Sequence, residues 1–324
     1  MTIFGRLSQE QIVFGLAVLL CAIFAISLPG FLTPSNLLNL VRSVSILGIL
    51  GVAMGLVVIG RGIDLSLVSL MAVSVAWALQ LAAGGMPLPQ AVAFGLGFSL
   101  IGGMITGTLI AYVEIPAIFA TLAMGTLIFG FGQYFLYDLT VVYLPDDARY
   151  LLWLGQGSLF GVPVPIYLFA AVCLFGYLFL RYTKSGRYLR AVGDNLEVAR
   201  ITGVPARPII VLQYALSALI GFVAGIVTAA SVASMNTRVA TSTYVYDVIL
   251  VVVLGGIGLS GGRGGIRNVI VGTLLIGILL NGMTIMNIQY TVQNVIKGVI
   301  LLLAIVIDTI LNPRDEQTAQ QGDI

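Results

Sequence analysis

The chain has 324 residues, 59% of them hydrophobic and 9% charged, with a formal net charge of +2 and a mean hydropathy of +1.08. Soluble domains carry about a quarter charged residues, so a soluble globular fold is excluded, and the alternating segments of about 10 residues that a transmembrane barrel needs are absent. The charge is too small to argue for a nucleic-acid partner, and the lack of histidine removes the commonest metal ligand and proton shuttle.

In chain order, the polar start MTIFGRLSQEQ reads as a retained cytoplasmic tail without a cleavage pattern. Ten apolar segments follow, near 12–28, 44–60, 65–83, 91–112, 117–137, 165–180, 208–230, 246–258, 268–286 and 294–311. A span needs about 20 such residues, so the eighth, short and ended by glycine, is expected to be tilted, broken or re-entrant. Starting the N-terminus inside puts 11 of the 15 basic residues on the cytoplasmic side. Only Arg42, Arg149, Arg238 and Lys297 fall outside. This bias predicts an all-α polytopic transmembrane bundle of about ten spans with both termini cytoplasmic. It is one transmembrane domain, 1–324, with a polar insert at 181–207 and a disordered tail at 312–324.

Cys21 and Cys173 lie within apolar spans, so neither a disulfide framework nor a metal site is suggested. Small-xxx-small pairs such as Gly51 with Gly55 and Gly221 with Gly225 predict close helix packing. An echo between VVIGRGIDLS (57–66) and VVLGGIGLS (252–260) is assigned to the limited alphabet, not to a repeat. Two outer segments, Asp138 to Pro165 and Ser231 to Tyr246, carry the exposed cations Arg149 and Arg238, candidates for docking a soluble partner.

The insert RYTKSGRYLRAVGDNLEVARITGVPAR is unlike the rest. Gly193 opens a turn in which Asp194 or Asn195 can cap a helix. Glu197 stands in its first turn, within reach of Arg200, and Gly203 and Pro205 end it. Elsewhere, Asp64 is an acid beside apolar spans, read equally as a cap of the third span, helped by Ser66, or as a substrate contact. Asp247 has the same two readings at the outer face. Asn281, within a span, is expected to bond a neighbouring helix more readily than a substrate hydroxyl. Gly261, Gly262, Arg263 and Gly264 form a tight cytoplasmic turn. With no strand before it and no Lys-Ser/Thr after it, nucleotide binding there is excluded and contact with a partner subunit is expected.

The insert resembles the coupling segment of sugar-type ABC importer permeases, the ribose/xylose/arabinose permease family, which reads GRY…A.GGN.EAAR.SGI. GRGIDLSLVSL (60–70), IPAIFATLAMGTL (115–127), YVYDVILVVVLGGIGLSGGRGG (244–265) and IKGVILLLAIVID (296–308) resemble further family segments in the same order. Arg61, Val68, Ala117 and Val245 depart from that pattern and put substrate identity in doubt more than membership. The resemblance implies a multi-pass subunit of the bacterial inner membrane that carries out no bond chemistry. It also implies separate ATPase subunits holding ATP and Mg, a periplasmic or lipoprotein binding protein, and a second permease copy or paralogue, all working in membrane lipid. Coupling would fall to Gly193, Asp194, Asn195, Glu197, Arg200 and Gly203, and the pathway or gate to Asp64, Ser66, Asp247 and Asn281. The alternatives are a branched-chain amino-acid-type ABC permease, which should want fixed charges in its pathway, and an ion-coupled secondary carrier, which needs intramembrane acids.

Overall fold

The protein, obtained as a computed structural model, is described over residues 9–311. The expected tail 312–324 and the first eight residues, with Arg6 and Arg314, lie outside the described residues. Along the chain come α1 (Gln9–Ser27), α2 (Pro34–Ile59), α3 (Leu67–Ala83), α4 (Leu88–Ala111) and α5 (Ala117–Phe131), which a π-turn extends over Gly132–Leu136. Then follow β1 (Val141–Tyr143), a 3-10 turn at Asp146–Leu151, α6 (Leu152–Gln156), β2 (Ser158–Leu159), β3 (Val162–Pro163) and α7 (Val164–Tyr182). The insert holds α8 (Lys184–Asp194) and α9 (Leu196–Ile201). After it come α10 (Ala206–Val232), β4 (Ser234–Asn236), a 3-10 turn at Thr237–Thr241, α11 (Tyr244–Leu254), α12 (Ile266–Ile285) and α13 (Tyr290–Leu311).

Proline marks several helix starts: Pro34 opens α2, and Pro87, Pro116, Pro163 and Pro205 stand at the caps of α4, α5, α7 and α10. There a missing N–H removes no helical bond and the fixed φ suits the first turn. Each of the ten apolar segments coincides with a helix, and seven helices are long and apolar enough to cross a membrane. The shorter three are Leu67–Ala83, Tyr244–Leu254 and Tyr290–Val306. Two of these, α3 and α11, are largely buried, α11 against the almost wholly buried second half of α2 and α3 against α4 and α10. Their missing length is taken up by irregular backbone at 60–66 and 255–265. Non-helical backbone at membrane depth is tolerated where protein covers its polar groups. The helices α1, α4, α5, α7 and α13 expose rows of Leu, Ile, Val and Phe, as a lipid-facing surface requires.

Small residues set the close approaches. On α4, Gly95, Ser99, Gly103 and Gly107 recur every fourth position and face α3 and α10. A Cβ on Gly103 would lie 2.6 Å from the Tyr214 carbonyl oxygen, and one on Gly107 would lie 2.7 Å from Val211 Cα. Ser99 Oγ donates to the Ala218 carbonyl at 3.0 Å. The Gly51 and Gly55 pair read from the sequence faces α11 and α12, and the Gly221 and Gly225 pair faces α3. The two long segments 138–165 and 231–246 are joined: β1 and β4 pair antiparallel with Val142 opposite Met235, both buried.

Candidate coupling and gating site

The insert is two helices, not one helix after a turn. Thr183 caps α8, its Oγ1 accepting from Gly186 N at 2.9 Å, and Leu189, Val192 and Gly193 bury one face. Asn195 is the cap of α9, its side chain accepting from Val198 N at 3.0 Å, while Asp194 is the last residue of α8. The sequence left that choice open, and its helix of 194–203 shortens to 196–201. A 6→1 bond from Val204 N to the Ala199 carbonyl and a positive φ at Gly203 close it. Glu197 and Arg200 form an ion pair at 3.3 Å, half-exposed. Ile201, 82% exposed, and Val198, 54% exposed, turn apolar surface outward from this short helix.

Behind α9, three segments meet backbone to backbone. Gly262 N donates to the Ile59 carbonyl at the end of α2, at 2.8 Å. A Cβ on Gly193 would collide with that same carbonyl oxygen and stand 2.7 Å from Gly262 N. Gly261 and Gly262 both hold positive φ, and Cβ atoms there would press on Gly193 and Asp194. Arg190 Nη1 donates to the Gly264 carbonyl at 3.0 Å. The end of α8, the glycine turn and the end of α2 thus touch without side chains between them. Arg263 is exposed beside this junction.

One step deeper lies the irregular run between α2 and α3. Bonds from Gly62 N to the Val57 carbonyl and from Arg61 N to the Val58 carbonyl close α2, with Arg61 at φ +65°. The same pair closes α11, from Ile257 N to Val252 and from Gly256 N to Val253. The echo between these segments is therefore a shared helix end, which requires no repeat. Asp64 is 1% exposed. Its Oδ1 accepts from Ser66 N at 3.1 Å and Ser66 Oγ at 2.6 Å, and its Oδ2 accepts from Ser217 Oγ of α10 at 2.7 Å. Tyr214 and Gln213 of α10 are buried alongside, the tyrosine hydroxyl 3.4 Å from the Ile63 carbonyl. The carboxylate thus ties the start of α3 to the middle of α10, combining a local cap with a long-range link.

At the opposite end, Asp247 in the first turn of α11 meets Lys297 of α13 at 2.7 Å, with side chains 8% and 7% exposed. The Lys297 ammonium also lies 5.6 Å from the centre of the Tyr290 ring. Thr243 Oγ1 stands 2.7 Å from Tyr290 Oη and 3.2 Å from Asn294 Oδ1. Asn281 exchanges two amide bonds with Asn36 of α2, at 3.0 and 2.9 Å. Arg149 pairs with Asp146 at 2.7 Å in the open, and Arg238 is exposed on the 3-10 turn after β4. The pairing of β1 with β4 joins the two segments that carry these cations.

Asp64, Ser66 and the insert residues are therefore grouped at one end, while Asp247, Asn281, Arg149 and Arg238 lie toward the other. Sequence reasoning missed Ser217 and Lys297. Both carried a signal: Gln213 and Ser217 are four residues apart on one face of an apolar helix, and Lys297 is the one cation inside its apolar segment. Among the described residues no group of three or more His, Cys, Asp or Glu could hold a metal ion.

Comparison with known proteins accounts for most of the chain. Residues 36–305 match the family model described as the branched-chain amino acid transport system / permease component. The ribose import permease protein RbsC of Escherichia coli strain K12 is 33% identical over 311 residues, 93% of this chain and 94% of that protein. RbsC of Bacillus subtilis strain 168 is 32% identical over 290 residues, 90% of this chain and 89% of its own length. The L-arabinose transport system permease protein AraH of E. coli K12 is 33% identical over 311 residues, 94% and 92% of the two chains. No solved structure matches. With its helical bundle, its glycine junction and this near-complete alignment, the chain belongs to the permease-component family of these transport systems.

Proposed function

We propose that the chain is the transmembrane subunit of an ATP-driven importer for a small sugar. The observation that carries this reading is the end-to-end similarity to permeases named for ribose and L-arabinose. The chain crosses the bacterial inner membrane ten times, with both termini and the insert in the cytoplasm. ATP is hydrolysed by separate subunits that grip α9, whose exposed Val198 and Ile201 offer an apolar contact. A binding protein docks on the outer surface that carries Arg149 and Arg238. Movement of α9 reaches the spans through the Gly193–Ile59–Gly262 junction, which has no flexible side chain to absorb it. The inner gate is the run around Asp64 and Ser66. The outer one is the Asp247–Lys297 pair, whose charges satisfy each other at rest. Isolated permease binds free sugar weakly, and specificity is set by the binding protein.

The test is uptake in proteoliposomes that contain this chain, the ATPase and the binding protein encoded beside it. ATP-dependent accumulation of a labelled pentose or hexose is expected. Accumulation driven by an ion gradient without ATP would make the chain a secondary carrier, and preference for leucine over sugars would make it an amino-acid permease. Within that assay, Glu197→Lys should leave membrane insertion intact and abolish the ATPase stimulation by the binding protein. Survival of both stimulation and uptake would remove α9 from the coupling role.

A further inference from the structure

The elbow between α7 and α8 carries basic groups that neither coupling nor gating uses. On α7, Leu174, Phe175, Leu178 and Tyr182 are exposed along one helical face, a stripe that must meet acyl chains. Arg181 stands on that same face, three residues after Leu178, where the span ends. Its guanidinium carbon lies 5.6 Å from the Tyr177 ring centre and 5.7 Å from that of Tyr182, and its Nη1 donates to Tyr177 Oη at 2.7 Å. Stacking and one hydrogen bond hold the group still while leaving other N–H donors open, in the planar fork that suits phosphate oxygens.

The chain then reverses tightly, because a Cβ on Gly186 would strike the Phe179 carbonyl and lie 2.7 Å from Leu180 Cα. That reversal holds the exposed Lys184 and Arg187, one turn apart on α8, close to Arg181. Among the described residues, none of the ion pairs Arg149–Asp146, Arg200–Glu197, Arg207–Glu114 and Lys297–Asp247 involves these three cations. The sequence between Ala148 and Gly193 contains no acidic residue. A stacked arginine at the foot of an acyl-facing stripe, with two further cations beside it, sits at the depth of lipid headgroups and not where a soluble subunit would reach first.

We propose that the α7–α8 elbow binds the phosphodiester headgroup of an anionic phospholipid through Arg181, Lys184 and Arg187, with the acyl chains lying along Leu174 and Leu178. This rests on the membrane-spanning reading of the chain and not on its substrate. Lipid held here lies against the helix whose far end makes the glycine junction, so bilayer charge would bias the position of α8.

The experiment uses the full chain in vesicles of phosphatidylcholine doped with spin-labelled phosphatidylglycerol or spin-labelled phosphatidylcholine, with no ATP, partner or sugar present. The immobilised fraction reports lipid at the protein surface. Wild type should hold the phosphatidylglycerol label in preference to phosphatidylcholine, and high salt should reduce the preference. Basic residues near an anionic surface act additively, so Arg181→Gln/Lys184→Gln/Arg187→Gln should lower relative affinity at this site by roughly 100-fold. The control Arg149→Gln/Arg238→Gln should leave it unchanged. Equal preference in wild type and the triple variant would overturn the proposal. In a separate pull-down with the ATPase added, a triple variant that keeps its lipid preference and loses that subunit would likewise overturn it and give the elbow to the ATPase. Because nothing is transported in this assay, failure of the sugar-importer reading would leave its result intact.

Discussion

The two ends of the bundle are held by opposite means. At the insert end, Gly193, Gly261, Gly262 and the Ile59 carbonyl fit backbone against backbone, and the one buried acid, Asp64, is satisfied by hydroxyls and a backbone N–H. At the other end, α13 is held to α11 through a buried ion pair with Tyr290, Thr243 and Asn294 around it. A backbone contact has no alternative geometry nearby, so it passes displacement on. An ion pair has two states, closed or open with both charges solvated, so it can serve as a catch. On the proposed function, the insert end transmits and the far end releases.

The largest effect should come from separating the charges. Lys297→Met leaves Asp247 buried alone, and breaking one side of such a pair costs about 3–5 kcal/mol. A marked fall in melting temperature of the detergent-purified protein is expected. Asp247→Asn/Lys297→Met should recover most of it, and a double variant as unstable as the single one would show that the two charges do not act as a unit.

Next comes the junction. Gly193→Ala forces a methyl onto the Ile59 carbonyl, and overpacking of this kind costs about 1–3 kcal/mol. ATP-dependent uptake should fall by about 30-fold, the rate equivalent of the middle of that range. Gly203→Ala, where nothing crowds the site, should cost only the strain of its positive φ, about 1 kcal/mol. If the two variants transport equally, the close fit at Gly193 does not carry the motion.

At the hub the distinction is chemical. Asp64→Leu orphans Ser66 N–H and the Ser217 hydroxyl, at about 1–3 kcal/mol for each buried group left unpaired. Asp64→Asn keeps an acceptor for Ser66, and its amide N–H can donate to the Ser217 hydroxyl oxygen, so it should retain most uptake. Equal loss in both variants would point to the negative charge itself. The smallest effect belongs to the outer surface: Arg149→Ala removes an exposed pair worth about 0–1 kcal/mol. Reversing both Arg149 and Arg238 to Glu should weaken binding-protein docking in a salt-dependent way, read as a raised half-saturating concentration.

The ten helices were legible because apolar runs bounded by proline, glycine and charge leave few alternatives in lipid. The Asn195–Glu197–Arg200 helix was legible from its cap and its i,i+3 pair. Asp64 was noticed, but its partner on α10 was not, since Ser217 is 153 residues away and a serine inside a helix commonly bonds its own backbone. The pairing of Asp247 with Lys297 was hidden for the same reason: each looked like an isolated charge near an interface, and only packing of α11 on α13 joins them. The glycine junction was half visible. The turn was plain from GGRG, but GDN, read as a turn, is the end of α8 and the cap of α9, and that these segments touch each other and the end of α2 is a tertiary fact.

The short ladder between Val141–Tyr143 and Ser234–Asn236 has a consequence for anyone editing the outer loops. Its alternation puts Val142 inside and Tyr143 outside, and in a strand a shift of one residue exchanges the two faces. Deleting a single residue between Tyr137 and Val141 would therefore drive a tyrosine toward α3 and push a valine into water, whereas removing two would preserve phase. The admissible lengths of this loop are thus quantised in pairs, and the second long loop, which carries the other strand, inherits the same parity.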